Sequence, residues 1–504
     1  MLKKLIVTAA CGAVASAALP PHTMWPFALA LVPLFVLVAL SKRTRESFWL
    51  GYVFALAFFT LYLLWIPLSF SKTLGSSFWI AFPIIVNWLA IIWGSTTALC
   101  RWVAGPGTRT LWVLPAAWVI VEWIRGQGYL AFPWGTFGYI WLDTPIAQFA
   151  DIIGVYGLSL ITTVLAALLA IPFVNTTLSF RSKQGLFRIL VLLVIPLLFW
   201  GILWNLGLTR SKIAFPSSPA TALLVQANTN PLDRTIGFEN EMLIHRNLTT
   251  KKLLAKDAPQ LVVWPEGAIG GLNVVGSLGK ENREEIQASA LSSTFIIGGR
   301  TQHERGSFNS AYSLSNASID DRYDKVFLVP FGERWPLIDS VASVYRTIFK
   351  ILNLPFLQNT SPGIMVRPIS TQLGLIGAYI CYESVFPQVQ RTMVRQGARV
   401  LINITNDAWF SRGNGAQQHF EMGRLRAIET RRYLLRAGND GITAAIDPFG
   451  TIVSQLQQGI TAALPVRFEL IELKTVWVRY GHLFIPVVLA YFMLASLLLW
   501  IRRH

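Results

Sequence analysis

The sequence predicts an α/β domain inserted between the transmembrane helices of an eight-helix membrane domain. Of its 504 residues, 53% are hydrophobic and 14% are charged, so the chain is too apolar to be wholly soluble. One long segment nevertheless alternates short apolar runs with polar helical stretches, as layered α/β domains do. We expect a membrane domain with seven transmembrane helices (1–208), an α/β domain (209–479), and an eighth transmembrane helix with a short tail (480–504).

Eight apolar segments are candidates for crossing a membrane, which takes about 20 residues per helix. The first and fifth are short, and their ends are the least well defined. The segments cover residues 5–19, 24–40, 48–70, 77–99, 111–124, 152–174, 189–208 and 481–501.

Lysine and arginine orient these helices, because basic residues near helix ends stay on the cytoplasmic side. With the N-terminus inside, the outer short loops carry only Lys72 and Arg125. The inner segments carry Lys3, Lys4, Lys42, Arg43, Arg45, Arg101, Arg109, Arg181, Lys183, Arg188, Arg502 and Arg503. This asymmetry predicts that residues 209–479 lie on the outer face of the membrane and that the C-terminus lies in the cytoplasm.

The formal net charge of +17 does not indicate binding to nucleic acid. More than half of the excess lies in the membrane part, where it follows from the topology, and no nucleic-acid motif accompanies the rest. The basic excess of the outer domain fits contact with anionic lipid headgroups, and ordinary surface charge explains it equally well.

The chain has three cysteines. Cys11 and Cys100 lie within or at the end of apolar helices, where a thiol packs as a small hydrophobic group. The first residues also resemble a secretory signal with a lipid-attachment cysteine, but Thr8 stands where such sites usually have leucine. Cys381 alone belongs to the outer domain, which excludes a disulfide within that domain.

The outer domain contains short apolar runs rich in β-branched residues, which predict buried strands. Helical stretches at 238–256, 281–292 and 417–438 lie between several of them. The runs begin at residues 220, 261, 294, 325, 373, 398 and 441.

Several of these runs end in chemically active residues, where α/β folds place their sites. Glu266 closes "VVWPE" and Cys381 closes "LIGAYIC", while "KVFLVPFGE" begins with Lys325 and ends in Glu333. A carboxylate that takes the thiol proton and an ammonium that stabilises an oxyanion would complete a nucleophilic set. Taken singly, each residue also fits a structural place, as a strand end, a solvated lysine or a buried thiol.

The motifs "WPE", "K…LVPFGE" and "CYE", in that order, resemble the carbon-nitrogen hydrolase, or nitrilase, superfamily with its Glu-Lys-Cys triad. The resemblance spans the whole outer domain, including "NITNDAWF" at 403–410 and the stretch 426–450. It implies an αββα sandwich, in which helices flank two central sheets.

The eight helices narrow the resemblance to the bacterial apolipoprotein N-acyltransferase family. The stretch "FPWGTFGYIWLD", residues 132–143, is similar to a family segment on the outer side, although alone it would fit an interfacial aromatic belt. The resemblance implies transfer of an acyl chain from a phospholipid to the N-terminal diacylglyceryl-cysteine of an apolipoprotein, through a cysteine thioester. It implies no cofactor and no metal, an inner-membrane location with a periplasmic catalytic domain and cytoplasmic termini, and we expect a monomer.

The same resemblance assigns roles to individual residues. Glu266 would be the general base, Lys325 the oxyanion stabiliser and Cys381 the nucleophile. The supporting residues are Glu333, Tyr382 and Glu383. The first would orient the lysine and the thiol, and the other two would support the nucleophile turn, where the backbone N–H of residue 382 is a second oxyanion donor.

An apolar stretch, residues 334–363, follows the "PFGE" motif and is a candidate lid. A transferase must keep water from its thioester until the amine arrives, and an apolar cover does this. Ordinary core packing is the alternative. The candidate lid or lipid contacts are Trp335, Phe349, Ile351, Leu352 and Phe356.

Three other polar residues invite a functional interpretation. His419 lies in a helical segment, and we expect a structural role because Glu266 already supplies a base. Glu122 and Arg125 end the fifth membrane helix, where an i, i+3 pair satisfies itself, and a headgroup contact by Arg125 is the alternative.

Two other classes of function remain open from the residues. A membrane-tethered amidase would use the same triad with water as acceptor, but it would need no eight helices. A non-catalytic lipid-binding or transport protein would be expected to show buried charges or broken helices near the bilayer midplane, and the eight segments contain no clear cluster of this kind.

Overall fold

The computed structural model describes residues 1–74, 78–175, 182–230, 238–253, 258–269, 275, 279–303, 306–335, 337–351, 360–410 and 413–502. The chain forms two compact units. The first combines Met1–Ile213 with Tyr480–His504, and the second is Ala214–Arg479.

The first unit is built from apolar helices. Each of the seven apolar segments predicted before residue 209 overlaps at least one of these helices. They are α1 (Leu2–Ser16), α2 (Leu31–Ala39), α3 (Thr44–Tyr62), α4 (Trp65–Leu74), α5 (Phe78–Ala104), α6 (Arg109–Arg125), α7 (Ala150–Val174) and α8 (Lys183–Arg210), with short 3-10 helices at Trp25–Ala30, Phe137–Trp141 and Pro145–Phe149.

Helix length separates the expected membrane spans into two groups. Within the described ranges, four helical segments are long and apolar enough to cross a membrane: Trp79–Ala104, Pro145–Val174, Lys183–Arg210 and Val476–Ile501. The pair α3 and α4, bent by 42°, gives a fifth if it counts as one span. With 15 and 17 residues, α1 and α6 are about 22 and 26 Å long, shorter than a bilayer core of about 30 Å. Eight full crossings therefore stay a prediction.

Small residues let α3 and α5 pack closely. A Cβ on Gly51 would lie 2.3 Å from Thr97 Oγ1, so only glycine fits at this crossing. The Ser47 hydroxyl donates to the Thr97 carbonyl and the Thr97 hydroxyl donates to the Ser47 carbonyl, each at 2.8 Å. Hydrogen bonds between small polar side chains and backbone are a usual way to join helices where no water is available.

Glu122 and Arg125 bind the main chain of the aromatic stretch 132–143. The Glu122 carboxylate accepts from the Phe137 N–H at 2.9 Å, and Arg125 Nη1 donates to the Trp134 carbonyl at 2.7 Å. The guanidinium carbon lies 4.5 Å from the centre of the Trp93 ring. Both charged residues thus position this segment, a role that the i, i+3 spacing alone did not indicate.

The described residues of the second unit form two six-stranded sheets. Its strands are β1 (Ser217–Gln226), β2 (Leu261–Ile269), β3 (Thr294–His303), β4 (Gly306–Ser315), β5 (Ser318–Asp324), β6 (Ile369–Thr371), β7 (Gly374–Ile380), β8 (Leu401–Thr405), β9 (Leu434–Gly438), β10 (Ala444–Ile446), β11 (Ile452–Gln455) and β12 (Ala462–Ile471). Its helices are α9 (Phe238–Leu253), α10 (Lys280–Ala288), α11 (Ile338–Ile351), α12 (Pro387–Arg395) and α13 (Asn414–Thr430). The chain then continues through α14 (Val476–Tyr480) to α15 (Phe484–Ile501).

The sheets pack face to face between helices. One has the strand order β12-β1-β2-β3-β4-β5 and the other β11-β10-β9-β8-β7-β6. Helix α9 packs on the first sheet, α12 packs on β7 of the second sheet, and α13 packs against α12. This layering confirms the predicted αββα sandwich.

The parallel strands at the centre of each sheet determine where a site can form. Strands β1, β2 and β3 are parallel, as are β7, β8 and β9. All residues of β8 and β9 are buried, and the polar residues among them are paired, since Arg436 on β9 donates to the Asn403 amide oxygen on β8. Polar side chains at the carboxyl ends of such strands are available for chemistry.

Candidate active site

Lys325 lies directly after β5 with its ammonium between two carboxylates. Its Nζ is 2.8 Å from Glu333 Oε2 and 3.6 Å from Glu266 Oε1. The lysine side chain is 1% exposed, so these carboxylates, not water, provide its charge partners. Its main chain is fixed as well, since the N–H donates to the Asn309 carbonyl and the carbonyl accepts from the Gly363 N–H, both at 2.8 Å.

Asn309, on β4, connects the two carboxylates. Its Nδ2 donates to Glu266 Oε1 at 2.7 Å and to Glu333 Oε1 at 3.0 Å. The second oxygen of Glu266 accepts from the Asn406 N–H at 2.9 Å. Sequence reasoning missed Asn309, because nothing in "GSFNSAYSLS" distinguishes it from other polar residues of a strand.

Cys381 follows β7 and opens a 3-10 helix, Cys381–Val385. Its φ is +50°, a left-handed conformation that non-glycine residues adopt rarely and that is typical of functional sites. The residue is 8% exposed. The turn thus places a nearly buried thiol at the carboxyl end of a parallel strand, where sequence reasoning placed the nucleophile.

Glu383 joins the nucleophile turn to the lysine segment. One carboxylate oxygen accepts from the Tyr323 hydroxyl at 2.6 Å and from the Val326 and Phe327 N–H groups at 2.8 and 3.2 Å. The other accepts from the Ile380 N–H at 2.9 Å. A fully buried carboxylate with these four donors holds the residues after Lys325 and those before Cys381 together. This contact is more extensive than the predicted support of the turn alone.

Tyr382 reinforces the same connection through aromatic packing. Its ring centre lies 5.1 Å from that of Phe386, and Phe386 stacks on Phe327 at 4.7 Å. Tyr382 is nearly fully buried. Glu383 therefore binds the lysine segment directly by hydrogen bonds, whereas Tyr382 packs edge-on against Phe386, which in turn stacks on Phe327.

Burial, together with the Glu266 carboxylate, keeps the Cys381 thiol protonated at rest. Burial raises the pKa of Cys381 and the Glu266 carboxylate raises it further, while the Lys325 ammonium acts in the opposite direction. Burial alone would lower the pKa of Lys325, but Glu333 and Glu266 more than offset this and raise it above its ordinary value. The resting site therefore combines a thiol and an ammonium, and attack by sulfur requires a base to remove the proton.

Gly298, on β3, allows the main chain at Glu266 to lie close. A Cβ there would be 2.3 Å from the Pro265 carbonyl oxygen and 2.6 Å from the Glu266 Cα. Gly298→Ala must displace Glu266, and we expect an activity loss of about 100-fold from misplacing a reacting group. The matched control is Gly438→Ala, another strand glycine, where the nearest atoms lie at 3.5 Å. Equal activity of the two variants would contradict this prediction.

Only part of the candidate lid can be compared with its prediction. The Trp335 ring packs against Phe331 at 5.3 Å and Tyr345 at 5.1 Å, which connects α11 to the turn that bears Glu333. Leu352, Phe356 and the side chains of Phe349 and Ile351 lie outside the described residues. Three apolar side chains around this part are at least half exposed: Phe331, Leu337 and Val344.

His419, on α13, lies directly behind the nucleophile turn. Its Nε2 is 3.1 Å from the Cys381 carbonyl oxygen and 2.8 Å from Ser384 Oγ. Its Nδ1 is 3.0 Å from Asp407 Oδ1. The histidine is fully buried, so it contacts the main chain of the nucleophile and has no access to solvent.

Comparison with known proteins gives a match for each half of the chain. Residues 11–168 match the apolipoprotein N-acyltransferase N-terminal domain, and residues 221–467 match the carbon-nitrogen hydrolase family. The apolipoprotein N-acyltransferase of Geobacter metallireducens is 31% identical over 477 residues, covering 90% of this chain and 87% of the relative. That of Chromobacterium violaceum is 30% identical over 519 residues, covering 99% and 94%. Both predicted resemblances are thus found, each in the half whose motifs suggested it.

Proposed function

We propose the function of this chain from its membership of the apolipoprotein N-acyltransferase family, which makes it an acyltransferase. It acylates the N-terminal diacylglyceryl-cysteine of apolipoproteins with an acyl chain taken from a phospholipid. The reaction has two halves, with Cys381 carrying the acyl group between them as a thioester. It would complete the maturation of bacterial lipoproteins. Glu266, Lys325 and Cys381 are the catalytic residues of this proposal.

The observation that carries the proposal is the shared charge environment of these three residues. Lys325 Nζ lies 3.6 Å from Glu266 Oε1, and the charges of both residues act on the pKa of Cys381 in opposite directions. A base, a cation and a thiol in one site are the parts that acyl transfer through a thioester needs.

In the first half-reaction, Glu266 takes the proton from the Cys381 thiol as sulfur attacks the ester carbonyl of the phospholipid. The negative charge on the carbonyl oxygen is stabilised by the Lys325 ammonium and by the backbone N–H of Tyr382. The intermediate then collapses, the C–O ester bond breaks, and the lysophospholipid oxygen takes the proton from Glu266. Cys381 is left as a thioester.

In the second half-reaction, the free α-amino group of the lipoprotein cysteine attacks the thioester carbonyl. Glu266 takes a proton from the nitrogen, the C–S bond breaks, and the proton passes to the Cys381 sulfur. An amide and the resting thiol result. Glu333 keeps Lys325 in place throughout, since its pKa is lowered by the lysine despite burial and it stays an anion.

The proposed location follows from the substrates. A phospholipid and a diacylglyceryl peptide are both held in a bilayer, so they reach a membrane-anchored site by lateral diffusion. We place the enzyme in the bacterial inner membrane as a multi-pass protein, with residues 209–479 on the periplasmic side and both termini in the cytoplasm. Helices such as Lys183–Arg210 and Val476–Ile501 would anchor it.

A mass measurement on the purified protein tests the acyl-enzyme directly. Incubation with phospholipid should add the mass of one acyl chain at Cys381, and hydroxylamine should remove it, because a thioester is cleaved and an amide is not. The matched control is a Cys11→Ala, Cys100→Ala double variant, which retains only Cys381 and should acylate as the wild type does. An undiminished adduct in Cys381→Ala would overturn the proposal.

A second step separates transfer from hydrolysis. Adding a diacylglyceryl peptide with a free N-terminus should discharge the thioester and yield an acylated peptide. A membrane-tethered amidase would instead release free fatty acid and leave the peptide unchanged. Fatty acid as the main product in the presence of peptide would favour the hydrolase.

A further inference from the structure

A buried chain of hydrogen bonds leads from the nucleophile turn into the core of the second unit. Ser384 Oγ and the Cys381 carbonyl both contact His419 Nε2, at 2.8 and 3.1 Å. His419 Nδ1 contacts Asp407 Oδ1 at 3.0 Å. The side chains of Ser384, His419 and Asp407 are completely buried, so this chain does not face substrate.

Asp407 is fixed as an anion at the inner end of this chain. It follows β8 at the start of the 3-10 helix Asp407–Phe410, and its Oδ2 accepts from Arg436 Nη2 at 2.6 Å. Its Oδ1 also accepts from the Thr405 hydroxyl at 3.1 Å. Burial alone would raise the pKa of Asp407, but Arg436 and His419 hold it at about 2. The imidazole therefore rests on a permanent negative charge.

The contacts of Nε2 assign it a proton. The Cys381 carbonyl oxygen only accepts hydrogen bonds, and the Ser384 hydroxyl either donates or accepts. A donating Nε2–H satisfies the carbonyl and is compatible with the hydroxyl, whereas a bare Nε2 would face the carbonyl lone pairs. His419 is thus a donor to the main chain of the nucleophile through Nε2. Its Nδ1 then either donates to Asp407 Oδ1, when both ring nitrogens carry protons, or accepts from Arg436 Nη2 at 3.1 Å, when only Nε2 does.

That main chain is in a conformation that needs support. Cys381 has φ +50°, and a non-glycine residue keeps such a conformation only where its surroundings impose it. Glu383 fixes the N–H of Ile380 on one side of the cysteine, and His419 contacts the carbonyl on the other. Losing either contact would let the turn relax and the thiol move.

We propose that His419, held by Asp407, is a positioning residue for the nucleophile, and that its Nε2–H hydrogen bond to the Cys381 carbonyl maintains the left-handed turn that presents the thiol. This inference rests on the proposed role of Cys381 and extends it. Ser384 shares the same donor, and Arg436 orients Asp407. The sequence predicted a structural role for His419, and this proposal specifies that the histidine supports the main chain at Cys381.

Two amide substitutions separate this role from general packing. The amide nitrogen of glutamine reaches the place of Nε2, while that of asparagine reaches the place of Nδ1. His419→Gln should therefore retain acyl-enzyme formation to within about 10-fold, and His419→Asn and His419→Ala should lose about 100-fold, the usual cost of a misplaced reacting group. The half-saturating phospholipid concentration should be unchanged in all three, because no substrate contact is altered.

The control is His245→Gln. His245 is the other buried histidine of the second unit among those described; it lies on α9, where its Nδ1 contacts the Glu241 carbonyl at 2.8 Å. We expect wild-type acylation from this variant. Melting temperatures of all variants show whether a loss of rate reflects unfolding. Equal acyl-enzyme rates for His419→Gln and His419→Asn, both folded, would overturn the positioning role.

Alkylation of Cys381 by iodoacetamide keeps the test independent of the acyl-transfer reaction. In the wild type, burial raises the pKa of the Cys381 thiol, Glu266 and Asp407 raise it further, and Lys325 lowers it. A relaxed turn should move the pH midpoint of alkylation towards that of an ordinary thiol in His419→Asn but not in His419→Gln. If the wild type forms no acyl-enzyme, the proposed function fails, whereas the alkylation profiles still decide the positioning role. Identical profiles in the wild type and His419→Asn would contradict it.

Discussion

Glu266→Gln should slow acyl-enzyme formation by about 10²–10⁴-fold, the usual contribution of a general base, and at the same time lower the pKa of Cys381. Glutamine cannot take the thiol proton, so attack on the ester becomes slow. The carboxylate is also one of the groups that raise the pKa of the thiol, so its removal makes the thiolate easier to form. The variant should thus have a more acidic but less productive cysteine.

A slower acylation combined with a lower pKa of Cys381 distinguishes a catalytic base from a carboxylate with a structural role. Both oxygens of Glu266 accept hydrogen bonds, from Asn309 and from the Asn406 N–H, and glutamine can replace only one acceptor. A purely structural loss would lower the melting temperature in proportion to the loss of rate. The pH dependence of iodoacetamide alkylation gives the thiol pKa, and single-turnover acylation gives the rate.

Glu469→Gln is the matched control for the removal of one carboxylate from the second unit. Glu469 lies on the edge strand β12 and accepts from the Ser217 hydroxyl at 2.7 Å. We expect it to change neither the acylation rate nor the alkylation profile. An unchanged acylation rate in Glu266→Gln would exclude Glu266 as the base.

Glu266 and Cys381 could be predicted because each ends an apolar run that forms a strand. The run that Lys325 begins was predicted as a strand as well, and this was wrong, because residues 325–335 are irregular in the structure. Cys381 directly follows the parallel strand β7. Glu266 lies within β2, where the regular pairing with β3 is interrupted between Trp264 and Ile269, and not at the strand end that the sequence predicted. The preceding hydrophobic residues mark both strands in the sequence. The spatial relation of Glu266 and Cys381 is then a consequence of two mixed sheets, each with parallel central strands, packed face to face. The motifs that surround them carried the resemblance to the family.

The residues that hold the triad could not be predicted in the same way. Asn309 lies within β4, and its partners are on β2 and beyond β5, so its role depends on strand order, which no local pattern encodes. Glu383 was expected to support its own turn, yet three of its donors come from residues 323–327. Long-range contacts of this kind become visible only when the sheets are assembled.

Lys325→Met should abolish acyl transfer and destabilise the protein by about 3–5 kcal/mol at neutral pH, the usual result of removing one member of a buried ion pair. Lys325 Nζ is 2.8 Å from Glu333 Oε2, and the lysine side chain is almost completely buried. Methionine fills a similar volume but leaves two carboxylates without their cation. The loss of acyl transfer follows from the missing oxyanion partner.

The pH dependence of this destabilisation identifies its electrostatic origin. In the wild type Lys325 lowers the pKa of Glu333 although burial opposes this, so the pair contributes stability that is present above the ordinary carboxyl pKa of about 4.3 and is lost as pH falls through the lowered value. Without the ammonium, burial raises the pKa of Glu333 above its ordinary value. Protonation of Glu333 then removes the unpaired buried charge from the variant. The difference in melting temperature between wild type and Lys325→Met should therefore narrow as pH falls from 7 towards 5.

Lys280→Met provides the matched control, because Lys280 makes an exposed pair with Glu284 at 3.7 Å. Exposed pairs of this kind contribute little stability, so its melting temperature should stay close to that of the wild type at every pH. A destabilisation of Lys325→Met that is independent of pH would point to lost packing instead of unpaired carboxylates. In that case the ammonium would not be what keeps Glu333 ionised, and the catalytic role of Lys325 would lose its electrostatic basis.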